Sequence, residues 1–230
     1  SRTERGRHPG GSKNELHLTS RMLRIALPLA FSAYARSALS TLEHLLVPRG
    51  LKSAGFSADR ALSGYGTIQG MVMPIISFPA CFLMALSELM IPELTEAQMR
   101  GERAEISHTV RSLLKKGSSY SLAVALAIFI FADRLGIAVY SSPEAGHFLR
   151  LLAPLIPIMY TDMLCDGCLK GLGQQMWNMG INVLDALLGV LLVWRVLPVY
   201  ALTGYICIIY FNECLNFALS MLRLGKVIRS

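Results

Sequence analysis

The stretch Ile25–Val47, IALPLAFSAYARSALSTLEHLLV, limits what this chain can fold into more than any other. It is 23 residues long and almost wholly apolar, yet it carries Arg36, Glu43 and His44. At 1.5 Å per residue a helix of that length reaches roughly 34 Å, enough to cross a bilayer core with some tilt. Arg36 and Glu43 are seven positions apart, which places them on one face, two turns from each other. An ionised side chain at membrane depth costs at least about 2.5–3.5 kcal/mol on insertion scales. That face is therefore expected to look at protein or at a wet cavity. Two readings stay open: the helix walls a polar hollow, or its polar groups only satisfy one another.

The rest of the chain is of the same kind. Apolar residues make up 53% and charged residues 16% of it, whereas soluble domains carry about 25% charge. The expected class is an all-α, polytopic membrane protein. The first apolar run is too long for the core of a signal peptide, so no cleaved leader is expected there. A net charge of +7 would suggest nucleic acid in a soluble protein. Here the basic residues flank apolar runs, so they are read as setting orientation, and no nucleic-acid partner is expected. Cys81, Cys165, Cys168, Cys207 and Cys214 all lie in apolar segments. They read as small buried hydrophobes rather than a disulfide framework.

Six apolar spans can be drawn, at about 22–47, 62–90, 117–140, 147–169, 176–197 and 200–222, within a membrane unit 22–224. A basic segment 1–21 precedes them and a basic tail 225–230 follows. Pro74 and Pro79 interrupt the second span, and Pro154 and Pro157 the fourth. Prolines kink helices and free carbonyls, which neighbours or cavity water must satisfy. These bends could mark moving or lining elements, or static kinks. The third span is the weakest, because Asp133 and Arg134 interrupt it; it is expected to end near there, with GIAVYSS as an interfacial turn. The long mixed-charge segment 91–116 has Ile106, Val110, Leu113 and Leu114 at helical spacing. A short amphipathic helix on the cytoplasmic surface is expected, with a soluble regulatory helix as the alternative. With the N-terminus inside, the cytoplasmic segments would hold 15 Lys and Arg and the outer ones 6, which favours both termini cytoplasmic.

Acidic residues recur within the spans: Glu43, Glu88, Asp162, Asp166, Asp185 and Glu213. Asp162 and Asp166, four apart, share a helix face. Carboxylates that close repel, which favours a proton held on one or a cation shared by both. Asn178, Asn182 and Asp185 share a face of the fifth span, and Asn212, Glu213 and Asn216 add polarity to the sixth. Carboxylate and amide oxygens suit Na⁺ or a proton relay; plain interhelical hydrogen bonding is the other reading. Glu43, Asp162, Asp166 and Asp185 are the candidates for coupling to a cation. Cys165 and Cys168 have CxxC spacing without a redox context or a second pair. The five histidines are scattered, so no metal site is expected. Gly167, Gly171 and Gly173 suggest close helix approach or a helix stop. A transferase using Asp162 and Asp166 on a lipid-linked sugar would need an acceptor site and often a metal, and neither is apparent. An enzyme is therefore not expected.

The order of motifs is itself informative. IALPLAFS opens a helix that ends LLVPRGLKSAGFS; YGTIQGMVMPIISFPACF, MIPELTEA, SSPEAGHFLRLLAPLIP and DGCLKGLGQQ follow. This order resembles the stage V sporulation protein B group of polysaccharide exporters, within the superfamily of MATE pumps and lipid-linked precursor flippases (MATE/MOP). The resemblance runs from about Met22 to Leu224. It implies one six-helix lobe, the second, of a two-lobe transporter in a bacterial cytoplasmic membrane. Segment 1–21 would then be the linker from a first lobe outside this sequence. It further implies alternating access for a lipid-linked oligosaccharide or peptidoglycan precursor. Arg36 and Glu43 would contact substrate, and Na⁺ or H⁺ coupling would run through the acids named above. The acid content also fits an antiporter for drugs or organic cations, and a half-transporter working as a homodimer is a further possibility.

Overall fold

The computed structural model describes the backbone of residues 11–53, 55 and 58–229. The first ten residues of the expected basic linker lie outside the described residues. The elements are α1 (Gly11–Ser53), α2 (Ala58–Thr67), a π-helical turn (Ile68–Val72), α3 (Met73–Arg100), α4 (Arg103–Tyr140), α5 (Pro143–Leu152), a 3₁₀ turn (Ala153–Leu155), α6 (Ile156–Gly171) and α7 (Gln175–Arg229). No strand occurs among the described residues, as expected for an all-α chain.

Local chemistry sets the helix ends. At the close of α3, Gly101 has φ +74; its N–H donates to Gln98 and that of Glu102 to Ala97, both at 3.1 Å. At the close of α6, Gly173 has φ +69, and Gly173 and Gln174 repeat the pattern onto Lys170 and Leu169 at 3.1 and 2.8 Å. Both are Schellman stops, where only glycine enters the left-handed region without penalty. α5 begins with Ser142, whose Oγ accepts the Ala145 N–H at 3.2 Å, and with Pro143 in the first turn, a position where the missing N–H costs nothing.

Among the described residues, four helical segments are long and apolar enough to cross a membrane: Ser63–Arg100, Arg103–Tyr140, Pro143–Gly171 and Gln175–Arg229. This differs from the six separate spans expected from the sequence. α1 falls outside that set, and the last two expected spans run together as α7. α7 is itself two helices joined at a kink at Ala201. A Cβ on Gly189 would lie 3.0 Å from Asn212 Nδ2, so the arms on either side of the kink fold back on each other. Ala201 has φ 51 and ψ −134, a backbone region that costs a residue with a Cβ about 1–3 kcal/mol. Ala201→Gly is expected to stabilise the fold by about 1 kcal/mol, read as a higher Tm of the protein in detergent; a lowered Tm would contradict this backbone geometry.

The segment expected as a separate surface helix, 91–116, is not one. Its first part continues α3 and its second opens α4, and Ile106, Val110 and Leu113 are buried in the core. Nor does the third span stop at Asp133. The helix continues to Tyr140, and Arg150 Nη2 of α5 pairs with Asp133 Oδ2 at 2.6 Å. The basic tail expected at 225–230 is helical as far as Arg229.

α6 stands at the centre, packed by α3, α4 and α7, while α1 packs along α7. Of the most apolar window in Pro143–Gly171, 61% is buried, against 17–28% in the other three segments. The outer helices thus present apolar side chains such as Phe31, Phe78, Ile130 and Trp194 where lipid would be. Small residues bring the centre together, as expected where hydrophobic solvent exclusion is weak. A Cβ on Gly167 would meet Ser87 Oγ of α3 at 1.7 Å, and one on Gly117 of α4 would meet Leu164 Cδ1 at 2.0 Å. Gly171 lies against Ile91 and Leu94. The π turn ends two residues before Pro74, which lacks an N–H for the carbonyl one turn back.

Candidate functional site

The polar faces of α1, α3, α6 and α7 meet around a cavity of about 500 Å³. α6 contributes Asp162, Asp166 and Lys170; α7 contributes Asn182, Glu213 and Asn216; α3 contributes Glu88; and α1 contributes Arg36. Arg36, Cys81, Met84, Glu88 and Lys170 are exposed, so the cavity opens along the flank between α1 and α3. Arg36 also lines a second hollow of about 460 Å³, with Ser32, Ser37, Ser40, Thr41, Met179 and Asn182.

Asp162 is buried. One carboxylate oxygen, Oδ2, accepts from Asn216 Nδ2 at 3.0 Å; the other, Oδ1, has no hydrogen-bond partner among the described residues. The same holds for the buried atoms Asp166 Oδ1, Asp185 Oδ1, Asn212 Oδ1, Asn216 Oδ1 and Ser220 Oγ. Ser220 is a neighbour of both Asp162 and Asp166. Six polar atoms left unpaired in one region is a large number, since buried polar groups are nearly always satisfied. Asp162, Asp166 and Asp185 all act electrostatically on Glu213, so the charges form one cluster. Arg36 bears on Asp166 and Asp185, and Lys170 on Asp166.

Glu43 sits at the other side of this cluster. It touches the space over Gly189, where a Cβ would lie 3.3 Å from its Oε2, and it bears on Asp185. His44, next in the chain, bonds the Tyr65 hydroxyl through Nδ1. The Tyr65 ring stands edge-on to Tyr205 at 5.6 Å, and Gln69 Nε2, from the π turn, donates to the Tyr205 hydroxyl at 2.6 Å. A polar string thus leads from the acids toward α2.

The structure therefore brings together Arg36, Asp162 and Asp166 in one cavity, with Asp185 and Glu43 adjoining. Ser220 and Lys170 were not among the sequence candidates, and Glu213 was named as a polar residue of the sixth span but not as a coupling candidate, although the four-residue spacing of Asn212, Asn216 and Ser220 was a readable signal for that face. Asn182 Nδ2 donates to Asn178 O and Oδ1 at 2.9 and 3.1 Å. Cys165 and Cys168 are buried free thiols. Among the described residues no three His, Cys, Asp or Glu side chains converge closely enough to chelate a metal ion.

Comparison with known proteins places this architecture. The chain is 28% identical to sporulation protein YkvU of Bacillus subtilis (strain 168) over 153 residues, which is 66% of this chain and 34% of that protein. It is 22% identical to stage V sporulation protein B of the same organism over 179 residues, 78% of this chain and 34% of that protein. The chain thus spans about a third of the length of the curated relatives it matches. None of the solved structures matches it. The MatE family model matches residues 53–194, more than half of the sequence, including α3, α6 and much of the first arm of α7; the chain, a multi-pass membrane protein, belongs to the MatE family.

Proposed function

We propose that this chain is one lobe of an alternating-access transporter in a bacterial cytoplasmic membrane, with both termini cytoplasmic. The α1, α3, α4 and α5–α6 segments and the two arms of α7 would give six crossings, with α5–α6 at the centre. The observation that carries the reading is the cavity open on one flank, with a cation at its mouth and unpaired carboxylate and amide oxygens behind it. A first lobe of the same protein would close the open flank. Arg36 would take the phosphates of a lipid-linked oligosaccharide or peptidoglycan precursor, the substrate class that the motif resemblance implies. Asp162, Asp166, Asp185, Glu213 and Glu43 would pass a proton or hold Na⁺. Because the acids do not converge on one point, a proton or a loosely held monovalent ion suits them better than a chelated metal.

A second reading is an antiporter for drugs or organic cations, and the charge of the cavity favours it. Glu88, Asp162, Asp166 and Glu213 outnumber Arg36 and Lys170 among the lining residues. The experiment is translocation in vesicles by the whole gene product containing this chain, with a lipid-linked precursor in one arm and an organic cation in the other. Under the first reading, Arg36→Ala slows precursor translocation by roughly 10- to 100-fold, the worth of a lost charge-assisted hydrogen bond, and Glu43→Ala also slows it. Unchanged rates in both variants would remove the assigned site. Organic-cation efflux that survives Arg36→Ala but collapses in Glu43→Ala would establish the second reading.

A further inference from the structure

A third pocket, of about 490 Å³, lies where three helix ends meet, away from the acidic cavity. The α3–α4 turn supplies Gln98, Gly101 and Arg103, the α6–α7 turn supplies Leu172 and Gln174, and the end of α7 supplies Arg223 and Lys226. Three cations line it and no acid does. The acids of the α3–α4 turn are occupied elsewhere: Glu96, Glu102 and Glu105 all gather on Arg100, at 3.5, 3.3 and 3.7 Å. Arg103 and Lys226 have no ion-pair partner among the described residues.

Arg223 is held in place rather than free. Its Nε and Nη2 donate to Gln174 Oε1 at 3.2 and 2.6 Å, and its guanidinium carbon lies 4.7 Å from the centroid of the Trp177 ring. A planar cation fixed by an amide and an aromatic face is pre-set for an oxyanion. The pocket also has apolar walls, Ile106, Leu172 and Ile228. Cations at the rim over an apolar wall match a phosphate joined to a hydrocarbon body, and basic pockets between membrane helices bind anionic headgroups in this way.

We propose that this pocket binds the phosphate of an anionic lipid headgroup. The shared chemistry is a phosphate ester, and the lipid is the source that the apolar walls favour. The proposal stands apart from the transport reading, because no residue of the acidic cavity takes part. Trp177 supplies the readout. The full chain carrying Trp194→Phe, purified in neutral detergent, is titrated with phosphatidylglycerol, with phosphatidylcholine, and with glycerol phosphate and inorganic pyrophosphate as soluble arms. Phosphatidylglycerol is expected to change Trp177 emission saturably where phosphatidylcholine does not. Arg103→Gln with Lys226→Gln is expected to weaken that response roughly thirtyfold, a factor of about five per basic residue near a membrane surface. These two side chains make no internal ion pair, so the double variant should keep its fold, and an unchanged Tm checks this. The single variant Arg103→Glu, which reverses the charge, should lose the response as well. Saturation by glycerol phosphate or pyrophosphate at lower concentration than the lipid would keep the phosphate site and assign it to a soluble phosphate. Equal responses to the two lipids, or a phosphatidylglycerol response unchanged in both variants, would overturn the proposal.

Discussion

Gly136→Val is expected to leave little correctly folded protein. Gly136 is on α4 where it meets α5, and a Cβ there would lie 2.5 Å from Gly146 N, 2.8 Å from Gly146 Cα and 2.8 Å from Ser142 O. Gly146 is equally confined, with Asp133 Cα 2.8 Å from its own absent Cβ. These neighbours are backbone atoms, so no rotamer change makes room. The carbonyl of Gly136 also accepts the Ser142 N–H at 3.1 Å, which ties the same residue into the turn that caps α5. Overpacking a full core costs about 1–3 kcal/mol and more where nothing can move; about 3 kcal/mol or above is expected here. Fluorescence-detected size-exclusion chromatography and Tm in detergent would read it. Gly180→Ala is the control, since nothing lies within 4 Å of its Cβ position, and it should be neutral or slightly stabilising. A Gly136 variant that melts with the wild type would show that the α4–α5 contact is looser than described.

Asp162→Asn is expected to separate folding from ion coupling. The amide keeps the size of the carboxylate and its place beside Asn216, 3.0 Å away. It removes one negative charge from a cluster in which Asp166 and Asp185 both act on Asp162. Like charges at short range in a poorly solvated interior repel strongly, so the empty site should become more stable. A ligand that binds only the folded state stabilises it by mass action, by about 2.7 kcal/mol at 100 times its dissociation constant. The wild-type Tm should therefore rise when Na⁺ replaces choline at fixed ionic strength, or respond to pH if the coupling ion is a proton. Asp162→Asn should start from a higher Tm and lose most of that response, and coupled translocation by the whole gene product should fall by at least about tenfold. Equal responses from wild type and variant would move the coupling ion to another carboxylate.

Much of this was readable from residues alone, for local reasons. A run such as Ile25–Val47 has few destinations other than a bilayer or its protein lining. Gly173 signalled a helix stop, and α6 ends there with Gly173 at positive φ. Gly167 and Gly171, four apart, signalled a close helix contact, and α3 occupies it. The segment 91–116 was misread because its stripe of Ile106, Val110 and Leu113 has the same period whether a helix lies on a membrane or extends into a core. Asp133 read as a stop for a similar reason: its partner, Arg150, is remote in the sequence and lies across a helix hairpin.

The sequence by itself pointed to a chain that crosses a membrane as helices, and it singled out Arg36, Glu43, Asp162, Asp166 and Asp185 as side chains expected to turn from lipid, because transfer energies act residue by residue. Only the tertiary structure decided which of them meet. It put α6 at the centre, folded α7 back at Ala201, and so brought Glu213 and Ser220 of the second arm beside Asp162. Helical period fixes the polar face of each helix, while the rotation and neighbours of that helix depend on where small residues let backbones touch.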